Sequence, residues 1–224
     1  MANLYIVGTP IGNLGDITLR ALETLKSVDL ILCEDTRMTK KLLSRYSISK
    51  EVKRLDAEIE GSVATNVKKL FDGRNSIALV SDAGTPTISD PGYRLVEAAR
   101  KEGITVITIP GPSAIAAALS ISGLPADEFL FLGFLPHKKG REKLFKEIVE
   151  AERTVVFYES PHRIMKTLER LSELLPEDRK VVIARELTKI HESVTLGSAR
   201  EVKSHFEDHP DQVRGEFVVM VNLV

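Results

Sequence analysis

The sequence predicts an α/β fold made of two domains. Three observations support it: short apolar runs without polar alternation, a polar loop with Gly or Pro after each run, and helix-like stretches between the runs. Runs of about four apolar residues are typical of strands that a parallel sheet buries on both faces. Their alternation with helical segments is the pattern of α/β proteins. The length of 224 residues suits one large domain or two modest ones.

Six apolar runs are the predicted strands. They are LYIV, IALV and VITI in the first half of the chain and FLFL, VVFY and VVIA in the second. Residues 17–32 form a predicted helix that begins after an N-cap at Asp16 and carries leucines at helical spacing, the first of them Leu19. Residues 91–103 form another helix, and Gly103 is its predicted end.

A domain boundary is predicted near the middle of the chain. Residues 112–124 form a nearly all-apolar helix of small residues, a composition that predicts burial on all sides. We therefore divide the chain into an N-terminal α/β domain, residues 1–112, and a C-terminal α/β domain, residues 113–224. The short connection implies a packed interface, and the cleft between the domains is the expected ligand site.

The composition narrows the possible functions and locations. The chain has 31 Lys and Arg against 32 Asp and Glu, so no global basic field attracts nucleic acid. One cysteine, Cys33, cannot form an internal disulfide, and the N-terminus lacks a signal pattern, so we expect a cytoplasmic location. No apolar run approaches the roughly 18 residues that span a bilayer.

Loops that follow the strands are the candidate ligand contacts, because open α/β sheets bind ligands beyond the carboxyl ends of their strands. The first loop carries Gly8, Gly12 and Gly15, whose spacing differs from the dinucleotide-binding fingerprint. The second loop, SDAGTPTISDPG, holds side-chain oxygens on a frame stiffened by prolines, and Asp82 is its favoured ligand contact. Asp90 is a second contact, a turn former or a helix cap.

Charged residues after a later strand are the candidate catalytic groups. The segment RELTKIHES places Arg185, Glu186 and Lys189 directly after the predicted strand VVIA, although a solvated helix face gives the same pattern. His205 and His209 lie four residues apart, but no third ligand follows at a suitable spacing, so no metal is expected.

Eight segments together resemble a known family. They are LYIVGTPIGNLGDITLRALETLKSVDLI, CEDTRMTKKLL, ALVSDAGTPTISDPG, IPGPSA, GFLPHKKG, FYESPHR, ARELTKIHES and GEFVV. In this order, over nearly the whole chain, they are similar to the bacterial 16S ribosomal RNA (cytidine-2′-O)-methyltransferases of the tetrapyrrole methylase superfamily. The segments SDAGTPTISDPG, YESPHR and RELTK separate this branch from the porphyrin-methylating one.

The resemblance implies a function and a set of ligand contacts. It implies a homodimer that binds S-adenosylmethionine (SAM) between two α/β domains. The methyl group would pass to the ribose 2′-hydroxyl of a cytidine in the decoding region of the small ribosomal subunit. Carried over residue by residue, the resemblance assigns the SAM pocket to Pro10, Asp82, Thr85, Ser113, Ala114 and Leu135.

Methyl transfer to a ribose hydroxyl requires that the reacting atoms are aligned and that the hydroxyl proton is removed or the developing charge stabilised. Displacement at a sulfonium is in-line, so holding the reacting atoms together supplies much of the catalysis. The hydroxyl must lose its proton or have its developing charge stabilised. Glu186 or Lys189 is the candidate base, and the lysine would need a lowered pKa for that role. Arg185 would steady a phosphate or orient Glu186.

Positive charge is concentrated in two windows. Residues 37–54 contain seven basic residues and one acid, a local charge of +6, and residues 137–146 contain five and one, a charge of +4. Such runs are often only solvated helix faces. With the resemblance, both windows become candidate phosphate contacts for rRNA of the small ribosomal subunit. The candidate RNA-binding residues are Arg37, Lys40, Lys41, Lys138, Lys139 and Arg141.

Two other functions stay open at this point. One is the methylation of a small molecule such as a tetrapyrrole, which a wide apolar cleft without a basic rim would favour. The other is a ligand-binding or assembly protein that keeps the cleft without turnover.

Overall fold

The computed structural model describes residues 2–222. Contacts divide the chain into two compact units, Met1–Ser113 and Ala114–Val224, each with its own five-stranded sheet. The sequence places the domain boundary one residue earlier, between residues 112 and 113. The predicted α/β class is confirmed, because helices alternate with strands through most of the chain.

The first unit is built on an all-parallel sheet with the strand order β3-β2-β4-β1-β5. Its strands are β1 (Asn3–Val7), β2 (Leu30–Cys33), β3 (Val52–Arg54), β4 (Ser76–Val80) and β5 (Thr105–Ile109). Its helices are α1 (Leu19–Ser27), α2 (Thr36–Arg45), α3 (Glu60–Thr65), α4 (Val67–Leu70) and α5 (Tyr93–Lys101).

Both faces of the first sheet are buried at its centre, which explains the unalternating apolar runs of β2 and β4. Along β4, Ile77 and Leu79 belong to an apolar cluster that includes Leu95 of α5. Ala78 and Val80 belong to a second cluster, which includes residues of α1 and α2. Successive side chains of one strand point to opposite faces, so the two clusters lie on opposite sides of the sheet.

The second unit has a mixed sheet with the strand order β6-β7-β10-β8-β9. Its strands are β6 (Phe129–Phe134), β7 (Thr154–Glu159), β8 (Lys180–Arg185), β9 (Ser193–Ser198) and β10 (Phe217–Val221). Its helices are α6 (Ala114–Ser122), α7 (Arg141–Glu150), α8 (Ile164–Leu174) and α9 (Ala199–Asp208). Strands β6 and β7 are parallel, whereas the last strand, β10, lies antiparallel between β7 and β8.

The six predicted strands are confirmed, and the first predicted helix is partly wrong. The end of the segment 17–32 is the strand β2, which pairs with β4. The N-cap of α1 is Thr18, whose side chain accepts a backbone hydrogen bond, while Asp16 lies in a preceding 3-10 turn. Leu19 is 79% exposed, because it is the first residue of the helix and points away from the sheet's apolar cluster. Gly103 follows α5 with a φ of +72°, as predicted.

The apolar helix α6 is less buried than its composition predicts. Ala118 and Leu119 are buried, and the helix contacts β8 and β10 on one side, but Ile121 is 46% exposed. This helix has nine residues. None of the helices within residues 2–222 is long and apolar enough to cross a membrane.

Candidate functional site

Two loops are joined at the carboxyl edge of the first sheet. Residues 8–18 follow β1 and residues 81–92 follow β4. Thr9 N donates to Gly84 O at 2.9 Å, and Gly84 N donates to Thr9 O at 3.1 Å. The Thr9 hydroxyl also donates to Ser81 O at 3.1 Å. Because Thr9 is buried, these bonds are protected from water and fix one loop on the other.

The loop after β5 approaches the first loop through two glycines. Gly8 N donates to Ile109 O at 3.0 Å. A Cβ atom on Gly111 would lie 2.7 Å from Gly8 O, and one on Gly8 would lie 2.8 Å from the Gly111 backbone. Only glycine fits at either position, because any side chain would force the two backbones apart. The three predicted ligand loops therefore lie side by side.

Two of the candidate loops contain strained backbone. Thr87 and Ser89 in the second loop have φ values of +74° and +63°, and Glu186 and Thr188 have +51° and +65°. Non-glycine residues rarely adopt this region, β-branched threonine least of all. Each such residue costs on the order of 1–3 kcal/mol and tends to mark functional sites.

An acidic group lies at the same edge as the three loops. Asp82 is exposed, and its Oδ1 accepts a hydrogen bond from Asp35 N at 3.0 Å, which ties the ends of β4 and β2 together. Burial raises the pKa of Glu34, and the nearby carboxylates of Asp82 and Asp90 raise it further. Sequence reasoning missed Glu34. Its position directly after the apolar run LILC was the available signal.

The structure excludes one of the roles considered for Asp90, that of a helix cap. Glu60 of α3 caps α5, because its Oε1 accepts from Gly92 N at 2.9 Å and from Arg94 N at 2.8 Å. Asp90 is therefore not the cap. Burial raises the pKa of Asp90, a hydrogen bond with Ser81 lowers it, and the charge of Asp82 raises it.

The remaining predicted SAM contacts differ in their surroundings. Pro10 is buried within the first loop, and Thr85 is half-buried in the second. Ser113 and Ala114 are half-buried, and Ala114 is the first residue of α6. Leu135 belongs to the second unit, where its side chain is 1% exposed within the apolar core. Its role as a pocket wall stays a prediction.

Arg185 at the end of β8 donates hydrogen bonds to backbone carbonyl groups of the protein. Its Nε donates to Arg214 O at 2.9 Å and its Nη1 donates to His191 O at 3.0 Å. The side chain is buried, and these bonds tie together the loops on either side of β8's end. Both of these partners are backbone carbonyl oxygens, whereas the sequence predicted that Arg185 would contact a phosphate or Glu186.

Lys189 lies between two carboxylates. Its Nζ is 2.8 Å from Glu186 Oε1 and 2.8 Å from Glu216 Oε2. Glu216 N also donates to Glu186 Oε1 at 2.9 Å, and the Glu186 side chain leaves no space for a Cβ on Gly215. We call Glu186, Lys189 and Glu216 the lysine clamp. Sequence reasoning missed Glu216, although the segment GEFVV that contains it supported the resemblance.

The clamp keeps Lys189 charged. Burial opposes the ammonium charge, but hydrogen bonds to Glu186 and Glu216 outweigh it and raise the pKa of Lys189. Burial likewise opposes the charge of Glu186, yet the Lys189 and Glu216 hydrogen bonds lower the pKa of that carboxyl. A lysine base needs a lowered pKa, so this geometry favours Lys189 as a fixed cation.

The first basic window presents cations around a surface groove. Lys40 and Lys41 are exposed on α2. Arg37 is exposed too, but its Nη2 lies 2.6 Å from Asp35 Oδ2, and that partner lowers the pKa of Asp35 to about 2. A shallow groove of about 470 Å³ is lined by two lysines, Lys40 and Lys50, together with three serines and two apolar residues.

The second basic window divides into outward and inward side chains. Lys138 and Lys139 are exposed in the loop before α7. Arg141 is directed inward, where its Nη2 contacts Glu159 Oε2 at 3.2 Å and Thr167 Oγ1 at 2.6 Å. A phosphate contact by Arg141 would require it to leave those buried partners.

Comparison with known proteins assigns the fold. The family model of the tetrapyrrole (corrin/porphyrin) methylases matches residues 3–203. The chain belongs to this family. Within it, curated relatives are named ribosomal RNA small subunit methyltransferase I. One from Thermotoga maritima is 48% identical over 92% of this chain and 93% of its own length. Another from Vibrio cholerae is 50% identical over 98% of this chain and 76% of its own length.

A solved structure supports the tetrapyrrole methylase fold independently. Diphthine synthase has a TM-score of 0.74 over 100% of this chain and 90% of that one, at 13% identity. Identity that low shows the fold alone. In this methylase, residues 2–222 contain no group of three or more His, Cys, Asp or Glu side chains placed to hold a metal ion.

Proposed function

We propose that this methylase transfers a methyl group from SAM to the ribose 2′-hydroxyl of a cytidine in the decoding region of 16S rRNA. The observation that carries the proposal is the identity of about half of all residues, over nearly the whole chain, with relatives named ribosomal RNA small subunit methyltransferase I. The lysine clamp and the exposed lysines supply matching chemistry. The homodimer and the cytoplasmic location stay predictions.

The carboxyl edge of the first unit fits a nucleoside-containing donor. The Gly8 and Gly111 backbones pack directly on each other, which holds the first and third loops side by side next to Asp82 and its loop. Asp82 presents an exposed carboxylate that can accept from hydroxyl or amino groups. SAM, when bound, supplies a methyl carbon on a sulfonium. The residues proposed to hold it are Pro10, Asp82, Thr85, Ser113 and Ala114.

The lysine clamp suits a ribose hydroxyl as the acceptor. The Lys189 ammonium has three hydrogens, and the two bonds to Glu186 and Glu216 leave one for a substrate oxygen. A cation there stabilises the negative charge that develops on the attacking oxygen. The Glu186 carboxylate accepts from Lys189 and from Glu216 N through Oε1, so we assign Oε2 to accept the hydroxyl proton. Arg185 shapes this loop.

The exposed lysines are proposed to bind RNA phosphates. Lys40 and Lys41 in the first unit and Lys138 and Lys139 in the second extend into solvent, where long flexible cations contact backbone phosphates without reading sequence. Few aromatic residues, 12 in all, are present to stack on bases. Recognition would then depend on the shape of folded rRNA and on the backbone.

Acceptor choice tests the proposal. Methyl-labelled SAM is incubated with the protein and either small ribosomal subunits from a strain that lacks this chain or uroporphyrinogen. We expect label in the rRNA of the subunits and none in the tetrapyrrole. Subunits from the wild-type strain serve as the control, because their site is already methylated. Label in the tetrapyrrole with none in rRNA, or no transfer to either acceptor, would refute the proposal.

A further inference from the structure

A buried carboxylate lies between two arginines at the end of β7. The Glu159 side chain is 0% exposed, and its Oε1 is 2.8 Å from Arg163 Nε. Its Oε2 is 3.2 Å from Arg141 Nη2 and 2.7 Å from the Thr167 hydroxyl. Ser160 N donates to Oε1 at 2.8 Å. We call Glu159, Arg141, Arg163 and Thr167 the Glu159 network.

Both arginines of the network hold the start of one loop. Arg163 Nη1 donates to Leu135 O at 2.6 Å, and Arg141 Nη1 donates to Pro136 O at 3.2 Å. The same loop, residues 136–140, ends at Arg141 itself, whose N donates to Lys138 O at 3.2 Å. The network therefore fixes this loop at both ends. We call residues 136–140 the basic loop.

The basic loop carries exposed lysines next to the two largely buried arginines of the Glu159 network. His137, Lys138 and Lys139 are all exposed, while Arg141 and Arg163 beneath them are each 15% exposed in their side chains. Two guanidiniums around one carboxylate leave a net positive charge under the loop. Anionic groups would meet both this charge and the two lysine side chains.

Stability alone gives little reason to keep such a network. Desolvating a carboxylate and two guanidiniums is costly, and apolar residues of similar volume often stabilise a core as well or better. Buried charged pairs have one property that apolar contacts lack, because their hydrogen bonds fix direction as well as distance. The direction fixed here is that of the basic loop.

We propose that Glu159 is a positioning residue for rRNA binding: through Arg141 and Arg163 it fixes the basic loop so that Lys138 and Lys139 meet successive phosphates. This inference rests on the proposed function. It assigns a role to the segment FYESPHR, which contains none of the proposed SAM contacts and no residue of the lysine clamp. Glu159 itself does not touch the RNA.

The direction in which Glu159→Gln changes the affinity for rRNA distinguishes a positioning role from a simple effect of charge. Glu159→Gln removes a negative charge beneath the basic loop, and by charge alone it would tighten binding to a polyanion. A glutamine amide also accepts fewer charge-assisted bonds from the two guanidiniums, so the loop loses its fixed direction. Positioning therefore predicts weaker binding, the opposite sign.

The experiment compares four proteins on small ribosomal subunits: the wild type, Glu159→Gln, the pair Lys138→Ala with Lys139→Ala, and all three changes together. We expect Glu159→Gln to raise the KM for subunits about five- to tenfold, the order of one or two lost phosphate contacts. We expect kcat and the SAM Kd to stay within about twofold, because a positioning residue acts on binding. The triple variant should bind no more weakly than the double, since the loop then has no cations left to position.

Glu142→Gln is the matched control. It removes one negative charge from α7 next to the same loop, but its carboxylate is 65% exposed and pairs with Arg170 at 2.6 Å. We expect its KM for subunits to stay equal or to fall. Unfolding curves for each variant establish that the folded fraction is complete. If Glu159→Gln fails to fold, Thr167→Val removes one hydroxyl from the network without changing any charge, and its KM should rise with kcat unchanged.

Three results would overturn the inference. They are an unchanged or lower KM for the folded network variant, an effect fully additive with the loss of Lys138 and Lys139, and a fall in kcat with unchanged KM. Failure of the proposed function looks different, because the wild type would then not methylate subunits at all.

Discussion

The two units hold their candidate loops by different means. In the first unit, backbone meets backbone: Thr9 pairs with Gly84, and Gly8 packs directly on Gly111. In the second unit, ion pairs between side chains hold the loops, in the lysine clamp and in the Glu159 network. Backbone contacts fix the loops of the first unit and leave side chains such as the exposed Asp82 available to a ligand, whereas the second unit holds charged side chains in fixed positions. The contrast agrees with the proposal that the first unit holds the nucleoside-containing donor and that the lysine clamp of the second acts on the acceptor hydroxyl.

The largest expected effect concerns the fixed cation of the second unit. Lys189→Ala removes the charge proposed to stabilise the attacking oxygen, and we expect kcat to fall by about 100-fold or more. The SAM Kd should stay unchanged, because the proposed SAM contacts lie in residues 10–114. Single-turnover methylation of subunits measures the first quantity, and equilibrium dialysis the second.

Lys203→Ala is the control for that variant. Lys203 has 28% of its side chain exposed, against 29% for Lys189, and it also contacts two carboxylates, those of Glu169 and Glu207. It should lose no activity. Normal turnover by Lys189→Ala, or equal losses in both variants, would remove the clamp from the mechanism.

The next effect concerns the backbone contact in the first unit. Gly111→Ala would place a Cβ 2.7 Å from Gly8 O and force the first and third loops apart. We expect about 1–3 kcal/mol of lost stability, as for other overpacked sites. A displacement of the loops by about 1 Å should also cost on the order of 100-fold in kcat/KM for SAM.

Gly103→Ala is the control for Gly111→Ala, because it introduces backbone strain without crowding. Gly103 has a φ of +72°, and a Cβ added there would meet no atom of residues 2–222 within 4 Å, so an alanine is strained but not crowded. We expect it to lose about 1–2 kcal/mol of stability with normal SAM binding. Equal SAM affinities for both alanine variants would contradict the assignment of the donor site to these loops.

A smaller effect is the pH dependence of the clamp. The folded-state pKa of Glu186 is lowered, so the stability it contributes is present above its ordinary pKa of 4.5 and is lost as the pH falls through the folded value. We expect the wild type to be more stable than Glu186→Gln at neutral pH. The difference in unfolding free energy should shrink on acidification below about 4.5. A difference that grows in acid would mean that the clamp does not hold Glu186 ionised.

The smallest expected effect is on the salt dependence of subunit binding. Lys40→Ala removes one proposed phosphate contact, so the slope of log K against log salt concentration should become shallower by about 0.7–0.9. Lys101→Ala on α5, where the lysine pairs with Glu97 at 2.7 Å, is the control and should leave the slope unchanged. Identical slopes for all three proteins would exclude Lys40 as a phosphate contact.

Local patterns predicted much of the fold and less of the site. Apolar runs identified six strands: burial on both faces explains the runs of β4, β7 and β8, whereas β5 and β6 are partly exposed. The strand β2 was hidden in a helix-like stretch, since a short apolar run fits either period and only its pairing with β4 decides. The central position of β10 was equally invisible, because it depends on partners 32 to 66 residues away.

The same limit applies to the site residues. Asp82 was found because it lies two residues after the end of β4, and Glu34, which directly follows β2, could have been found by the same reasoning. The inward direction of Arg141 could not be found from a run of basic residues, because it depends on Glu159, which lies 18 residues further along the chain. Glu186 and Glu216 both raise the pKa of Lys189, and Glu216 lies near it only because β10 pairs with β8.

Mapping of the methyl group tests the central claim most directly. Subunits methylated with labelled SAM are separated into rRNA fragments, and the fragment from the decoding region is digested to nucleosides. The account predicts label in 2′-O-methylcytidine from that fragment alone, and no label with the Lys189→Ala variant. Label on a base, on another nucleoside or outside the decoding region would contradict it.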